Sequence, residues 1–178
     1  MNLPNKLSML RICMIPNFVI FALMDAAWAQ YAALAVFALA SLTDMLDGKI
    51  ARHYNMITEW GKFIDPVADK LTLAAIALSM AFRYPLMGVM FGLYVVKELY
   101  MFCMGAYMLK RGFRMDGAQW YGKVCTAVTY GAVFLLLVIP GMPKPVSDGL
   151  IGLCLFVTLA AFVGYALFYF KAWKGLSK

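Results

Sequence analysis

The chain has 178 residues, of which 64% are hydrophobic and only 14% charged. That balance lies outside the range of soluble domains and indicates one polytopic membrane domain over residues 1–178. The formal net charge is +7, but the basic residues flank apolar runs, so they read as headgroup and topology contacts; with no recognition motif present, nucleic acid is excluded as a partner.

A bilayer crossing needs roughly 20 apolar residues, and the sequence offers six such stretches. The expected fold class is therefore all-α, a polytopic membrane helix bundle with six transmembrane helices and a short N-terminal interfacial segment, Asn2 to Ser8. The first span covers Leu10 to Met24, with a kink expected at Pro16. Lys6, Arg11, the apolar run after them and Ala26-Ala27-Trp28-Ala29 also have the outline of a signal peptide, whose removal would leave five spans. The remaining spans run from Trp28 to Arg52, Thr58 to Phe82, Leu86 to Leu109, Trp120 to Ile139 and Val146 to Phe170. Trp28, Trp60, Trp120 and Trp173 fall near span ends, as an aromatic belt requires.

An even number of spans puts both termini on one side. That side then carries thirteen Lys and Arg residues, from Lys6 and Arg11 through Lys49, Arg52, Lys62 and Lys70 to the C-terminal lysines, against Arg83 and Lys144 on the other. The bias predicts cytoplasmic termini and a cytoplasmic loop between spans two and three, in a cell (inner or plasma) membrane. Cys13, Cys103, Cys125 and Cys154 have no CxxC spacing and read as small buried hydrophobes. His53 is the only histidine, so no thiolate or histidine metal site is expected.

The polar exception is the junction of spans two and three: Asp44-x2-Asp47-Gly48-x2-Ala51-Arg52-x8-Gly61-x3-Asp65-x3-Asp69. Residues three or four apart share a helix face, so Asp44 pairs with Asp47 and Asp65 with Asp69. A helical hairpin brings the two pairs face to face. Each charge costs roughly 2.5–3.5 kcal/mol at the bilayer centre and less near the interface, and four facing carboxylates repel one another. Divalent cations relieve both problems; oxygen-only ligands suit Mg²⁺, Mn²⁺ or Ca²⁺ rather than Zn²⁺, and two ions balance four charges. Glycine within a helix costs about 1 kcal/mol relative to alanine, so Gly48 and Gly61 imply close approach of a ligand or helix. Arg52 lies one turn beyond Gly48 and can reach phosphate oxygens. A site of this kind fits a diphosphate substrate. Intramembrane acids also mark ion pathways, so a divalent-cation transporter is the alternative of a different class. These acids, however, cluster towards one membrane face.

The pattern closely resembles the signature of the CDP-alcohol phosphotransferase family, D-x2-D-G-x2-A-R, seven or eight residues, then G-x3-D-x3-D; every fixed position matches. Asn2-Leu3-Pro4-Asn5-Lys6-Leu7-Ser8 with Arg11 and Pro16, and Asp65-Pro66-Val67-Ala68-Asp69-Lys70, resemble the bacterial phosphatidylglycerophosphate synthase branch. The resemblance implies CDP-diacylglycerol as donor, an alcohol acceptor, release of CMP and a homodimer. By position it makes Asp44, Asp47, Asp65 and Asp69 metal ligands, with Asp69 also the general base. Gly48, Ala51, Arg52 and Gly61 would hold the nucleotide and diphosphate. The expected acceptor is glycerol 3-phosphate, bound by Lys97, Arg111, Arg114 and Lys123. Lys97-Glu98 stands where that branch usually has Arg-Glu, Cys125 where it has a second lysine, and Gly105 where arginine is frequent. A weaker cationic set would also suit phosphatidylglycerol, the acceptor of cardiolipin synthases, or another alcohol.

Overall fold

Runs of Leu, Ala, Met and Phe with few interior breakers produce six helices among the described residues of a computed structural model of the chain: α1 (Leu3–Leu23), α2 (Ala27–His53), α3 (Glu59–Ala81), α4 (Pro85–Lys110), α5 (Trp120–Val138) and α6 (Lys144–Leu176). The structure describes the backbone of residues 3–53, 59–112, 119–139 and 141–176, and the side chains of 6–26, 28–46, 50, 67–112, 119–139 and 141–174. The expected boundaries of spans two to five agree within one residue, while α1 starts seven residues before Leu10 and α6 runs six residues past Phe170. Leu3 to Ser8, within the segment expected at the interface, form the first turns of α1, and Ser8 is fully buried.

Among the described residues, five helices are long and apolar enough to cross a membrane: α1, α2, α4, α5 and α6. The described side chains of α3 run only from 67 to 81, and Glu59, Lys62, Asp65, Asp69 and Lys70 fall in the first half of that helix. Large apolar side chains such as Phe82, Phe102, Phe156 and Trp120 are at least 70% exposed, which is costly in water and ordinary against lipid tails.

The chain divides into two compact units. The first comprises residues 1–83 and 134–141, the second residues 84–133 and 142–178. In the first, α1 packs on both α2 and α3. Ala29, Ala33, Phe37 and Ala40 give α2 a buried stripe at helical spacing, and the alanines admit close backbone approach. Phe18 of α1 sits against Phe37, ring centroids 6.5 Å apart. Leu73, Ile76, Ala77 and Met80 of α3 are also buried. Hydroxyls in these apolar helices bond back to their own carbonyls, as with Ser41 to Phe37, Thr72 to Ala68 and Ser79 to Ala75. At the end of α3, Arg83 donates to Gln30 Oε1 and to the Met24 carbonyl, both at 3.1 Å. The Gln30 amide donates in turn to the Leu136 and Leu137 carbonyls.

In the second unit α4 packs on α6, with Met87, Met90, Tyr94 and Met108 buried from α4 and Ile151, Cys154, Ala161 and Tyr165 from α6. Tyrosine rings join the helices: Tyr100 meets Phe162 at 5.3 Å and Tyr121 of α5 meets Tyr165 at 4.7 Å, both edge-on. Gly122 is required here, because a Cβ at that position would overlap the Tyr165 hydroxyl.

Candidate active site

The cytoplasmic loop predicted between spans two and three is flanked by the last turns of α2 and the first turns of α3. Asp44 lies on α2 and Asp69 on α3, and one side chain from α1 joins them. Arg11 Nη2 lies 3.0 Å from Asp44 Oδ1, and Arg11 Nη1 bonds Asp69 Oδ1. The guanidinium is 1% exposed, while the two carboxylates are 43% and 47% exposed. The cation is thus seated in the helix packing and its acids reach outward from it.

Asp47, Gly48, Ala51 and Arg52 belong to α2, and Gly61 and Asp65 to α3; their side chains lie outside the described residues. Asp44 and Asp69 fit a hard divalent cation in donor type: both are carboxylates, they come from two helices to the same guanidinium, and they are partly open to the surroundings. From the sequence, Arg11 reads as a topology anchor and as part of the N-terminal resemblance. Its position is different: a buried charge in the third turn of an apolar helix. A cation within a membrane span is the signal that marks it as functional.

The predicted acceptor residues lie in the second unit. Lys97 is 7% exposed, and its Nζ sits 2.8 Å from Glu98 Oε1 and 4.9 Å from the Tyr94 ring centroid. Arg111 caps α4, with its amide bonded to the Met108 carbonyl and its guanidinium over the Tyr107 ring. Gly112, at φ 81°, ends that helix with an amide bond to the Leu109 carbonyl. Lys123 is exposed in the first turn of α5, and Arg114 lies outside the described residues. At the two positions where the resemblance called for further cations, α6 closes in: Cys125 is buried with Sγ 3.4 Å from Thr158 Oγ1, and the Tyr169 hydroxyl would lie 3.4 Å from a Cβ on Gly105.

The family model described as CDP-alcohol phosphatidyltransferase matches residues 1–169. The chain belongs to the CDP-alcohol phosphatidyltransferase family. It is 32% identical over 139 residues, 76% of both chains, to the CDP-diacylglycerol–glycerol-3-phosphate 3-phosphatidyltransferase of Escherichia coli strain K12. The same figures hold for the proteins of that name from Shigella flexneri serotype 5b and Shigella sonnei. As a CDP-alcohol phosphatidyltransferase the protein is a membrane-bound transferase of phospholipid synthesis, and its family works with divalent metals.

Proposed function

We propose that the protein transfers the phosphatidyl group of CDP-diacylglycerol to sn-glycerol 3-phosphate, giving phosphatidylglycerophosphate and CMP, at the cytoplasmic face of a cell membrane. The observation that carries this reading is the convergence of Asp44 and Asp69, from two helices of the signature, on one guanidinium. The name carried by relatives 32% identical to the chain supports the donor and the acceptor. The Lys and Arg bias supports the cytoplasmic side for both termini.

Asp69 takes the proton of the acceptor hydroxyl as its oxygen attacks the lipid-bearing phosphorus; the bond to CMP breaks, and CMP leaves with its electron pair. Asp44, Asp47, Asp65 and Asp69 would hold the metal, Mg²⁺ or Mn²⁺, as two ions. When bound, these ions neutralise charge on the diphosphate oxygens and on the leaving group. Gly48, Ala51, Arg52 and Gly61 receive the nucleotide and diphosphate. Lys97, Arg111, Arg114 and Lys123 answer the charge of the acceptor. The working unit is a homodimer.

The closure of α6 over Gly105 and Cys125 favours a second reading, in which a less charged acceptor such as phosphatidylglycerol is used and cardiolipin is the product. An acceptor screen separates the two. Purified protein with CDP-diacylglycerol, Mg²⁺ and labelled glycerol 3-phosphate is expected to release CMP. CMP release with phosphatidylglycerol alone replaces the first reading by the second, and no release with any alcohol sinks both.

A further inference from the structure

We infer that Arg11 is a positioning residue of the transfer site, whose guanidinium fixes the separation and orientation of the Asp44 and Asp69 carboxylates from behind. The inference rests on the reading of those two acids as metal ligand and base.

Arg11 lies about 12 Å along α1 from Leu3 at the helical rise, yet its side chain is among the largest that are fully buried. A buried charge is costly unless paired and hydrogen-bonded. Here the pairing is divided: one terminal nitrogen serves α2 through Asp44, the other serves α3 through Asp69. The two nitrogens belong to one rigid plane, so setting the first carboxylate also sets the second. A lysine, with a single rotatable ammonium, has no such geometry.

Exposure shows which way the site opens. The cation is 1% exposed and its acids 43% and 47%. Arg11 therefore meets the carboxylates from the protein side, leaving substrate and metal to come from the other. A carboxylate offers about four lone-pair sites and an N–H uses one, so the ion pair is compatible with cation ligation by the same group. The Lys97–Glu98 pair is different: its carboxylate is only 19% exposed and comes from the adjacent residue of the same helix.

The test measures Mn²⁺ binding to the purified full-length protein by electron paramagnetic resonance, together with turnover. Arg11→Lys keeps the charge and loses the fork. It is expected to weaken Mn²⁺ binding about 10–100-fold, the usual range for residues that orient metal ligands, and to lower kcat with little change in KM for CDP-diacylglycerol. Phe18→Ala, elsewhere in the α1 packing, is expected to lower the thermal midpoint and keep the Mn²⁺ affinity. Wild-type affinity in R11K, or an equal loss in F18A, overturns the inference. If R11K does not fold, Arg11→Ala takes its place: millimolar methylguanidinium is expected to restore Mn²⁺ binding where methylammonium does not. Equal restoration by both, or by neither, overturns the inference. Failure of the metal reading itself has a separate signature, either wild-type protein that binds no Mn²⁺ or Asp44→Asn protein that binds it as tightly.

Discussion

Among the described residues, the two units each bury one cation on an apolar helix and satisfy it differently. Lys97 is paired with its own sequence neighbour, and both members are largely enclosed, at 8% and 19% exposure. Arg11 reaches out of α1 to acids on two other helices, and those acids stay partly open. A pair made between neighbours on one helix relieves a local cost without itself linking that helix to another. A cation shared among three helices ties their packing to the geometry of the groups at its far side, which is what catalysis by positioned groups requires.

Substitutions at the two places should separate these roles. The largest effect is expected from Asp69→Asn, which removes the proposed base and keeps the shape: kcat should fall about 10²–10⁴-fold while the protein elutes and unfolds like wild type. Normal turnover would remove Asp69 from that role. Next comes R11K, with the loss of Mn²⁺ affinity set out above.

In the second unit, Lys97→Ala alone would leave Glu98 in a buried site without its ion-pair partner, a change that typically costs 3–5 kcal/mol. The double variant Lys97→Met/Glu98→Gln is therefore the cleaner probe. If Lys97 binds a phosphorylated acceptor, KM for glycerol 3-phosphate should rise about tenfold or more, the worth of a hydrogen bond to a charged group. An unchanged KM makes the pair a device for ordering α4. The smallest effect is expected from Gly122→Ala, whose methyl would press on the Tyr165 hydroxyl. A stability loss of about 1–3 kcal/mol, read as a lower thermal midpoint with Mn²⁺ affinity intact, would confine that change to the second unit.

The helices were legible in the sequence because each is a long apolar run ended by Gly, Pro or charge. The span from Trp120 to Ile139 emerges as Trp120–Val138, and that from Leu86 to Leu109 as Pro85–Lys110. The aspartates stand out in the sequence because four acids in two same-face pairs have few reasons to occur beside apolar helices; of the four, the described side chains include Asp44 and Asp69. Arg11 does not stand out, since a basic residue near an N-terminus satisfies the positive-inside pattern equally well, and only packing reveals that its charge turns inward. The closure of α6 over Gly105 and Cys125 was hidden for a related reason: it depends on which rings of α6 face α4 and α5, and an almost uniformly apolar helix carries no periodicity to say so.

The bonds of Gln30 bear on how the protein is made. Its amide donates to carbonyls 106 and 107 residues later in the chain, while its own oxygen accepts from Arg83. As helices enter the membrane in order of synthesis, α1 to α3 can meet and Arg83 can reach Gln30 early. The Gln30 amide must wait for the end of α5. The unit that holds the aspartates is therefore finished only after most of the other unit has been inserted, so a chain halted before residue 134 would have the acids in place and one end of their helix cluster still open.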